Sequence, residues 1–284
     1  MKTISAHFLV KNEEKFIWYS IMSVINHVDK VIIYDSGSSD NTKKIITEIL
    51  RDEVIRQKII FKDFSGEFDE AELRQKMLDE TVTDWFIVVD GDEIWWDESI
   101  KKLTETIQEK GNELESIIVP AILPVGDMFY FQEQRGGRYK FNSLSGELFG
   151  HYSLRAVNRK IPGLSSDRPH GQWGWIDIDG KMIQDRDPKK IGFINTPYIH
   201  VTHLQRAGTK LKDSEVLKRT MKLKYEIGIS FSRDFYYPEV FFRDRPNIVE
   251  SPWTRMPMTF KLWSIILTPL RKLKRRYLGG RIGY

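Results

Sequence analysis

The chain has 284 residues, and the 40% that are hydrophobic suffice for a globular core in one large domain, or in a core domain with an appendage. It contains no cysteine, which excludes disulfide bonds, zinc sites built on thiolates and a cysteine nucleophile. The net charge of +4 is modest, but eight basic and no acidic residues lie between positions 253 and 284, so the basic character belongs to the tail.

Apolar strands alternate with segments of helical periodicity in the first half of the chain, a pattern typical of a mostly parallel sheet covered by helices. Helices are predicted around the apolar positions of 16–28, 41–50, 69–80 and 98–110, and Asn12 and Asp40 are placed to cap the first two. The predicted strands are 3–10, 30–34, 58–62, 85–89 and 116–123.

The apolar run at the N-terminus turns charged at Lys11 and is therefore too short for a signal peptide. No stretch of about 18 uninterrupted apolar residues occurs, so no helix is predicted to span a bilayer. We expect a soluble or peripheral protein, and the absence of cysteine fits a cytoplasmic location.

Beyond Pro124 the periodic pattern weakens, because glycines punctuate short strand-like pieces such as 152–157. A strand that ends in two histidines is predicted over 190–203, and a charged helix over 211–227. Residues 235–257 are rich in aromatic side chains and proline. The second half is therefore expected to be rich in loops.

Acidic residues follow three of the predicted strands directly. Glu13 and Glu14 come after the first strand, Asp35 after the second, and Asp90-Gly91-Asp92 after the strand 85–89. In open α/β sheets ligands bind at the carboxyl ends of the strands, so these residues should converge on one edge. Carboxylates two positions apart, with glycine between them, can present oxygens to Mg²⁺ or Mn²⁺, ions that commonly share their coordination shell with substrate phosphates. Taken alone, an acidic turn of this kind is usually only solvated.

Three segments in this order and spacing resemble the family-2 glycosyltransferases of the GT-A fold, and the resemblance covers roughly residues 3–125. It implies an α/β GT-A fold, with a Rossmann-like, mostly parallel sheet flanked by helices. It also implies a nucleotide-sugar-binding half at 1–125, an acceptor-binding half of the same domain at 126–210, and a helical C-terminal extension at 211–284. The segments are Leu9-Val10-Lys11-Asn12-Glu13-Glu14, 31–42 (through Asp35-Ser36-Gly37-Ser38-Ser39-Asp40) and 86–93 (through Asp90-Gly91-Asp92-Glu93).

The resemblance implies a donor site for a UDP- or GDP-linked sugar and a metal site for Mn²⁺ or Mg²⁺. Arg74 lies where the family often has an arginine near the nucleotide, although Gln75 replaces the asparagine that often follows it. Asp92 is expected to be the principal metal ligand, with Asp90 close to the metal or the ribose. The residues expected to bind the nucleotide sugar are Val10, Asn12, Glu14, Asp35, Arg74, Asp90 and Gly91.

A histidine late in the fold completes the metal site in many GT-A enzymes, and Ile199-His200-Val201-Thr202-His203 is a strand end of this kind. His200 and His203 would point to opposite faces of a continuing strand, so we favour His200 as the ligand. Imidazole is an acceptable ligand for Mn²⁺. A histidine that is simply hydrogen-bonded is the structural alternative.

An inverting transfer needs a general base within reach of the acceptor hydroxyl. The candidates are Asp167, His170 and Glu147, with Asp177 and Asp179 behind them. Residues 165–174 are interpreted as an acceptor loop in which Trp173 and Trp175 are available to stack on a sugar ring. The loop lacks the acidic residue expected after its histidine.

The tail Met258–Tyr277 joins a short apolar segment containing tryptophan to a basic cluster. This composition favours a helix at the surface of an anionic membrane, next to a lipid-linked acceptor. Packing on the protein's own core and an oligomer contact are the alternatives. No nucleic-acid partner is expected, because the basic residues are confined to one terminus.

The sequence thus predicts a transferase that moves a sugar from a nucleotide-diphosphate sugar to a glycan or lipid-linked acceptor, dependent on a metal and by a single inverting displacement. Its expected location is the cytoplasm, with peripheral contact to the inner face of the cell membrane. Two alternatives remain open: a nucleotidyltransferase, and a catalytically inactive module that binds nucleotide sugars.

Overall fold

The computed structural model describes residues 1–64, 66, 69–133, 138–140, 147–149, 151–167 and 174–277. Within 138–140, 147–149 and 274–277 it describes only the backbone.

The described part of the first 125 residues contains seven strands and five helices. The strands are β1 (Ile4–Val10), β2 (Lys30–Asp35), β3 (Ile59–Asp63), β4 (Trp85–Val88), β5 (Glu93–Trp95), β6 (Ser116–Ile122) and β7 (Pro124–Val125). The helices are α1 (Ile17–Val24), α2 (Thr42–Ile49), α3 (Glu53–Arg56), α4 (Glu70–Asp79) and α5 (Asp97–Lys110).

The described remainder has shorter elements and ends in a long helix. Its strands are β8 (Asp127–Phe131), β9 (Arg138–Lys140), β10 (Glu147–Phe149), β11 (His151–Asn158), β12 (Ser165–Asp167), β13 (Gly174–Ile176), β14 (Ile191–Phe193), β15 (Tyr198–His200) and β16 (Ile229–Ser230). Its helices are α6 (Lys210–Ser214), α7 (Arg219–Lys222) and α8 (Met258–Tyr277), and 3-10 turns lie at Ile183–Asp185, Pro188–Lys190 and Glu239–Phe242.

One large mixed sheet organises the molecule, with strand order β3-β2-β1-β4-β11-β6-β15-β5 and with β14 also paired to β6. β1 pairs in parallel with β2 and β4, and β2 pairs in parallel with β3. β11 then runs antiparallel between β4 and β6. β4 and β5 follow each other closely in the chain, yet three strands lie between them in the sheet.

Helices cover both faces of the parallel part of the sheet. Along β2, Val31 and Ile33 join the main core on one face, together with α1 and α2. Ile32 and Tyr34, which alternate with them, pack on the opposite face against Leu73 and Met77 of α4. This alternation follows from the two-residue period of a strand, and burial on both faces explains why β2 and β4 read as continuous apolar runs.

The predicted elements of the first half lie within a few residues of those observed, but two predictions for the second half are wrong. The strand expected over 190–203 is divided into β14 and β15, because Pro197 between them has no N–H to donate to a ladder. The helix expected over 211–227 breaks into α6 and α7. Lys218 between them is in the left-handed region at φ 60°, which ends the helical hydrogen bonding.

Candidate active site

The acidic strand ends meet at one edge of the sheet, as predicted. Val10 at the end of β1 lies in register with Asp35 at the end of β2, and the Ser36 N–H donates to the Val10 carbonyl at 2.9 Å. β4 is the other neighbour of β1, and the Val89 N–H donates to the His7 carbonyl at 3.0 Å. Parallel pairing in the order β2-β1-β4 therefore brings the three acidic segments side by side.

The turn after β4 carries Asp90, Gly91 and Asp92 and leads straight into β5. A Cβ atom on Gly91 would lie 2.8 Å from Cγ of Glu13 and 3.2 Å from Cγ1 of Val10. Glycine is therefore required here by the close approach of the chain after β1, not by its backbone angles. Gly91 thus lets the loop after β1 pack against the acidic turn.

Asp90, Asp92 and His200 each offer one ligand atom, and these three atoms lie within 4.8 Å of one another. β15 pairs antiparallel with β5 so that His200 faces Glu93, and the Val201 N–H donates to the Asp92 carbonyl at 2.9 Å. Nε2 of His200 is 3.3 Å from Oδ2 of Asp92. His203 is engaged elsewhere, with ring nitrogens 2.9 Å from the Lys222 carbonyl and 3.2 Å from Oε1 of Gln132.

The residues of this group suit a hard divalent cation. Asp92 is fully buried, and its Oδ1 has no hydrogen-bond partner among the described residues. Asp90 is about one third exposed, with a relative accessibility of 33%, so the group opens to solvent on that side. Two carboxylates and an imidazole form a donor set that accepts Mn²⁺ well and that Mg²⁺ also accepts through the oxygens.

Buried arginines surround the acidic turn. Nη1 of Arg206 lies 2.6 Å from Oδ2 of Asp92 and 3.3 Å from Oε1 of Glu13. Arg155 forms an ion pair with Glu93 and lies 3.6 Å from Oδ2 of Asp90. These guanidinium groups compensate carboxylates that would otherwise be costly to bury.

The charges of this cluster shift its pKa values in opposite directions. Burial alone would raise the pKa of Asp92, but Arg206 and His200 lower it well below its usual range. The pKa of Asp90 is lowered as well, because Arg155 and Arg74 outweigh the effect of burial. For His200, burial lowers the pKa, yet the charge and hydrogen bond of Asp92 raise it above its ordinary value.

Arg74 is 3% exposed and links helix α4 to the acidic turn. Its Nη2 lies 3.3 Å from Oδ1 of Asp90, and its Nε lies 3.4 Å from Oε1 of Glu70 one helical turn earlier in α4. Arg74 is therefore buried within a network of ion pairs, where it contacts Oδ1 of Asp90 while Arg155 lies near Oδ2.

Asp35 is fully buried at the end of β2. Its Oδ1 accepts hydrogen bonds from the N–H groups of Gly37 and Ser38 at 3.0 and 2.6 Å, which is the geometry of an Asx turn. Its Oδ2 is buried and has no partner among the described residues. Burial raises the pKa of Asp35. Only one oxygen of the carboxylate thus serves the turn.

Asn12 and Glu14 bind other parts of the protein. Asn12 adopts a left-handed conformation at φ 55°, accepts from the Ser39 N–H at 2.8 Å and donates to the Lys212 carbonyl at 2.9 Å. Oε2 of Glu14 accepts from the Asn41 N–H at 2.6 Å. Their side chains therefore shape the loops around Asp35.

A segment from the second half of the chain lies over the loop that follows β1. Arg219 is buried and donates to the carbonyl of Lys11 at 2.8 Å, and it also forms an ion pair with Glu13. The Lys15 N–H donates to the carbonyl of Arg206 at 3.0 Å. Residues 206–219 are in this way part of the site, although they are distant in sequence.

Of the three main candidates for the base, Asp167, His170 and Glu147, only Asp167 has a described side chain. Asp167 is exposed at the end of β12, whose Ser166 N–H donates to Oε1 of Gln75 on α4 at 2.8 Å. For Glu147 the structure describes only the backbone of β10, and His170 lies outside the described residues. No base is assigned by these positions.

Trp175 and Asp177 follow this loop in the chain and lie within the described residues. Trp175 is 3% exposed and packs edge-on against Phe86 with ring centroids 4.9 Å apart, so its predicted stacking on a sugar is wrong. Trp173 lies outside the described residues. Asp177 holds a turn, because its Oδ1 accepts from the N–H groups of Asp179 and Lys181 at 3.0 and 2.9 Å.

A model of the family described as Glycosyl transferase family 2 matches residues 5–163, more than half of the chain. The chain belongs to glycosyl transferase family 2. The match includes Asp35, Arg74 and the turn at Asp90, whereas His200, Arg206 and Arg219 lie beyond it. Family membership confirms the resemblance read from the sequence. The parallel-dominated sheet flanked by helices confirms the predicted GT-A fold class.

Curated relatives of the family 2 chain share only part of their length with it. An uncharacterized glycosyltransferase of Rickettsia felis is 34% identical over 108 residues, which are 38% of this chain and 34% of the relative. A TPR repeat-containing protein of Synechococcus elongatus is 30% identical over 189 residues, 66% of this chain and 39% of that protein. The chain therefore spans roughly a third of the length of the curated relatives it matches.

Solved structures with a similar arrangement are remote in sequence. TarS 1-349 of S. aureus is 14% identical with a TM-score of 0.42, and the match covers 70% of this chain and 60% of the TarS chain. Glucosyl-3-phosphoglycerate synthase of Mycobacterium tuberculosis, crystallised with Mn²⁺, UDP and phosphoglyceric acid, is 18% identical with a TM-score of 0.44 and covers 77% and 75%.

Proposed function

We propose that this family 2 chain transfers a sugar from a nucleotide-diphosphate sugar, linked to UDP or GDP, to a glycan or lipid-linked acceptor, and that it requires Mn²⁺ or Mg²⁺. The observation that carries the proposal is the group formed by Asp90, Asp92 and His200, beside the half-satisfied carboxylate of Asp35. Both features lie at the carboxyl edge of a parallel sheet, where nucleotides bind in such folds.

The donor is proposed to lie across the ends of β2, β1 and β4. Oδ2 of Asp35 would accept a hydrogen bond from the base or ribose, because it is the oxygen that the Asx turn leaves unused. Val10 and Gly91 would provide close backbone approach, and Arg74 would keep Asp90 oriented toward the ribose or metal. Asn12 and Glu14 would act through the loops that they hold.

The cation would be held by Asp92, Asp90 and His200, and when bound it supplies positive charge to the departing nucleoside diphosphate. Arg206 holds Asp92 in place from the side opposite the unpartnered Oδ1. Arg155 and Arg74 fix Asp90 between them. The protein thereby presents preoriented carboxylates, so little reorganisation is required when the donor arrives.

The acceptor step is proposed as a single inverting displacement in which a carboxylate or histidine takes the proton from the acceptor hydroxyl. Asp167, His170 and Glu147 remain the candidates for this base. Asp167 is the preferred one, since it is exposed at the end of β12, beside the helix that carries Arg74. The proposed location is cytoplasmic, with peripheral contact to the inner face of the cell membrane.

Nucleotide binding with and without metal tests the proposal. Isothermal titration calorimetry of UDP and GDP should show binding that is strengthened by Mn²⁺ in the wild type and weakened at least about tenfold by Asp92→Asn. The matched control is Asp127→Asn, which removes a buried carboxylate that accepts hydrogen bonds from the N–H groups of Phe129 and Met256. Absence of metal-dependent binding in the wild type would contradict the transferase proposal.

A second measurement separates the proposal from its alternatives. Donor hydrolysis or transfer, followed by release of the nucleoside diphosphate, is expected for a transferase. Metal-dependent binding without any release would favour the inactive nucleotide-sugar-binding module. Release of pyrophosphate from a nucleoside triphosphate with a sugar phosphate would instead favour the nucleotidyltransferase.

A further inference from the structure

On helix α8 (Met258–Tyr277), the arrangement of polar and apolar side chains is the reverse of that on a usual surface helix. The side that packs on the protein is the stripe Phe260, Ser264 and Thr268, at relative accessibilities of 8%, 0% and 8%. Its two hydroxyls are satisfied within the helix, because Ser264 donates to the Phe260 carbonyl at 2.8 Å and Thr268 donates to that of Ser264 at 2.5 Å. A surface helix normally turns its apolar side inward, so the outward side of α8 requires an explanation.

The outward side is a strip of large apolar side chains. At about 100° per residue they cover roughly 160° of the helix circumference. Each has a relative accessibility between 51% and 69%: Met258, Leu262, Trp263, Ile265, Ile266, Leu270 and Leu273. Exposed apolar residues are ordinary when they are scattered, but a continuous strip of this size marks an interaction surface.

Basic residues border this strip. Lys261 and Lys272 are exposed and lie on one edge of it by helical position, whereas Arg271 is half-buried and falls on the side that packs on the protein. The sequence continues with Lys274, Arg275 and Arg276, and no acidic residue occurs from 253 to the end. Lysine side chains at such an edge can extend their charge to a polar layer while their methylenes stay near the apolar strip.

We propose that α8 lies in the interface of an anionic lipid bilayer, with the strip from Met258 to Leu273 in the acyl boundary and the lysines and arginines on the headgroups. The charge of the tail selects this occupant, since a lipid surface is both apolar and negatively charged. No helix in the part of the chain that the structure describes is long and apolar enough to cross a membrane, so the contact is made along the surface. The contact is independent of the transfer reaction, and only the use of a lipid-linked acceptor rests on the proposed function.

The chain that packs against α8 leads directly to the candidate active site. Tyr225 stacks on Phe260 with ring centroids 4.5 Å apart, and the Ile227 N–H donates to Oγ1 of Thr268 at 2.8 Å. A few residues earlier, Met221 on α7 is 81% exposed while Arg219 on the same helix holds Glu13. A bilayer seated on α8 would therefore lie close to the segment that covers the loop after β1.

Cosedimentation of the full chain with vesicles tests the proposal. Vesicles of phosphatidylcholine with phosphatidylglycerol should bind the wild type, and vesicles of phosphatidylcholine alone should bind it at least about tenfold less tightly, because the basic tail contributes through charge. The triple variant Leu262→Ser/Trp263→Ser/Ile266→Ser should lose about tenfold or more in affinity for the anionic vesicles. These side chains are exposed, so the fold should be kept.

The matched control replaces exposed apolar residues elsewhere, with Val54→Ser, Val82→Ser and Ile178→Ser, which are 74%, 81% and 74% exposed. It should bind vesicles as the wild type does. The proposal is overturned if the wild type does not sediment with anionic vesicles, or if both triple variants lose binding equally. It is also overturned if the wild type is a dimer in solution that the α8 variant dissociates, because the strip would then cover a second copy.

Nucleotide binding measured in solution keeps the two proposals apart. The α8 variant should bind UDP or GDP with Mn²⁺ as the wild type does, because its substitutions are outside the site. Loss of vesicle binding with unchanged nucleotide binding supports the membrane surface alone. Vesicle binding by a wild type that binds no nucleotide would leave the membrane surface standing and contradict the proposed function.

Discussion

Arg206→Gln probes how the acidic turn is neutralised. The guanidinium of Arg206 is buried and lies 2.6 Å from Asp92 and 3.3 Å from Glu13. Removing one partner of a buried ion pair typically costs 3–5 kcal/mol, because the remaining charge is left uncompensated. In the variant, Asp92 still pairs with His200, and Glu13 still pairs with Arg219. We therefore expect the lower end of this range, a decrease of about 3 kcal/mol in the free energy of unfolding.

A divalent cation should reverse part of this loss. In the variant, Asp92 retains one partner fewer, and Mn²⁺ bound there would supply the missing positive charge. Saturating Mn²⁺ should therefore raise the melting temperature of Arg206→Gln by more than it raises that of the wild type. Without metal, the variant should melt roughly 6 °C or more below the wild type.

Differential scanning fluorimetry with and without Mn²⁺ measures both effects. Arg186→Gln is the matched control, since Arg186 also pairs with two carboxylates, Glu115 and Asp177, but is 21% exposed and distant from the turn in the fold. Whatever it costs in stability, it should show no extra response to Mn²⁺, because its carboxylate partners are not part of the acidic turn. Equal Mn²⁺ stabilisation of wild type and Arg206→Gln would refute the reasoning, as would a variant that melts with the wild type.

Three further predictions concern the same edge of the sheet. Gly91→Ala should lower the free energy of unfolding by about 1–3 kcal/mol, since its methyl group would meet Glu13 at 2.8 Å, and an unchanged denaturant midpoint would contradict this packing. His200→Ala should weaken Mn²⁺ binding at least about tenfold in calorimetry, whereas His203→Ala should not, because His203 is bonded to the Lys222 carbonyl. Mn²⁺ affinity should rise with pH over the range in which His200, whose pKa is raised above that of an ordinary histidine, loses its proton, and this rise should be absent in His200→Ala. Over the same range of pH the metal-free protein should become less stable, because deprotonated His200 no longer forms an ion pair with Asp92. A melting temperature that increases as His200 loses its proton would contradict this ion pair.

The fold of the first half and the acidic part of the site could be predicted because both depend on local pattern. Apolar runs give the strands, parallel pairing brings the strand ends together, and the residue after each strand then falls at the common edge. Asp35, Asp90 and Asp92 were predictable in position for this reason. His200 followed from the family resemblance together with its place at the end of a later strand, although the strand itself is shorter than predicted.

The basic residues of the site could not be predicted in the same way, because they come from remote elements. Arg155 was detectable in principle, as a lone charge within the apolar strand β11, but its partners Glu93 and Asp90 lie more than sixty positions earlier. Arg219 falls in a segment whose periodicity indicates one continuous helix. Its contacts with Glu13 and Lys11 and the left-handed Lys218 accompany the break of that helix, so tertiary structure overrides local propensity.

The short acidic turn between β4 and β5 also limits how far apart these two strands can lie. In a flat sheet, the four strand intervals from β4 to β5 would span about 19 Å, whereas the chain from Val88 to Glu93 reaches at most roughly 17 Å when fully extended. It is not extended, since the Glu93 N–H bonds back to the Asp90 carbonyl at 3.1 Å. The sheet must therefore curl until its far edge returns to β4, and the length of this short connection limits how far it can reopen. A longer turn would allow the whole sheet to flatten. Flattening of the sheet would also move His200 away from Asp92.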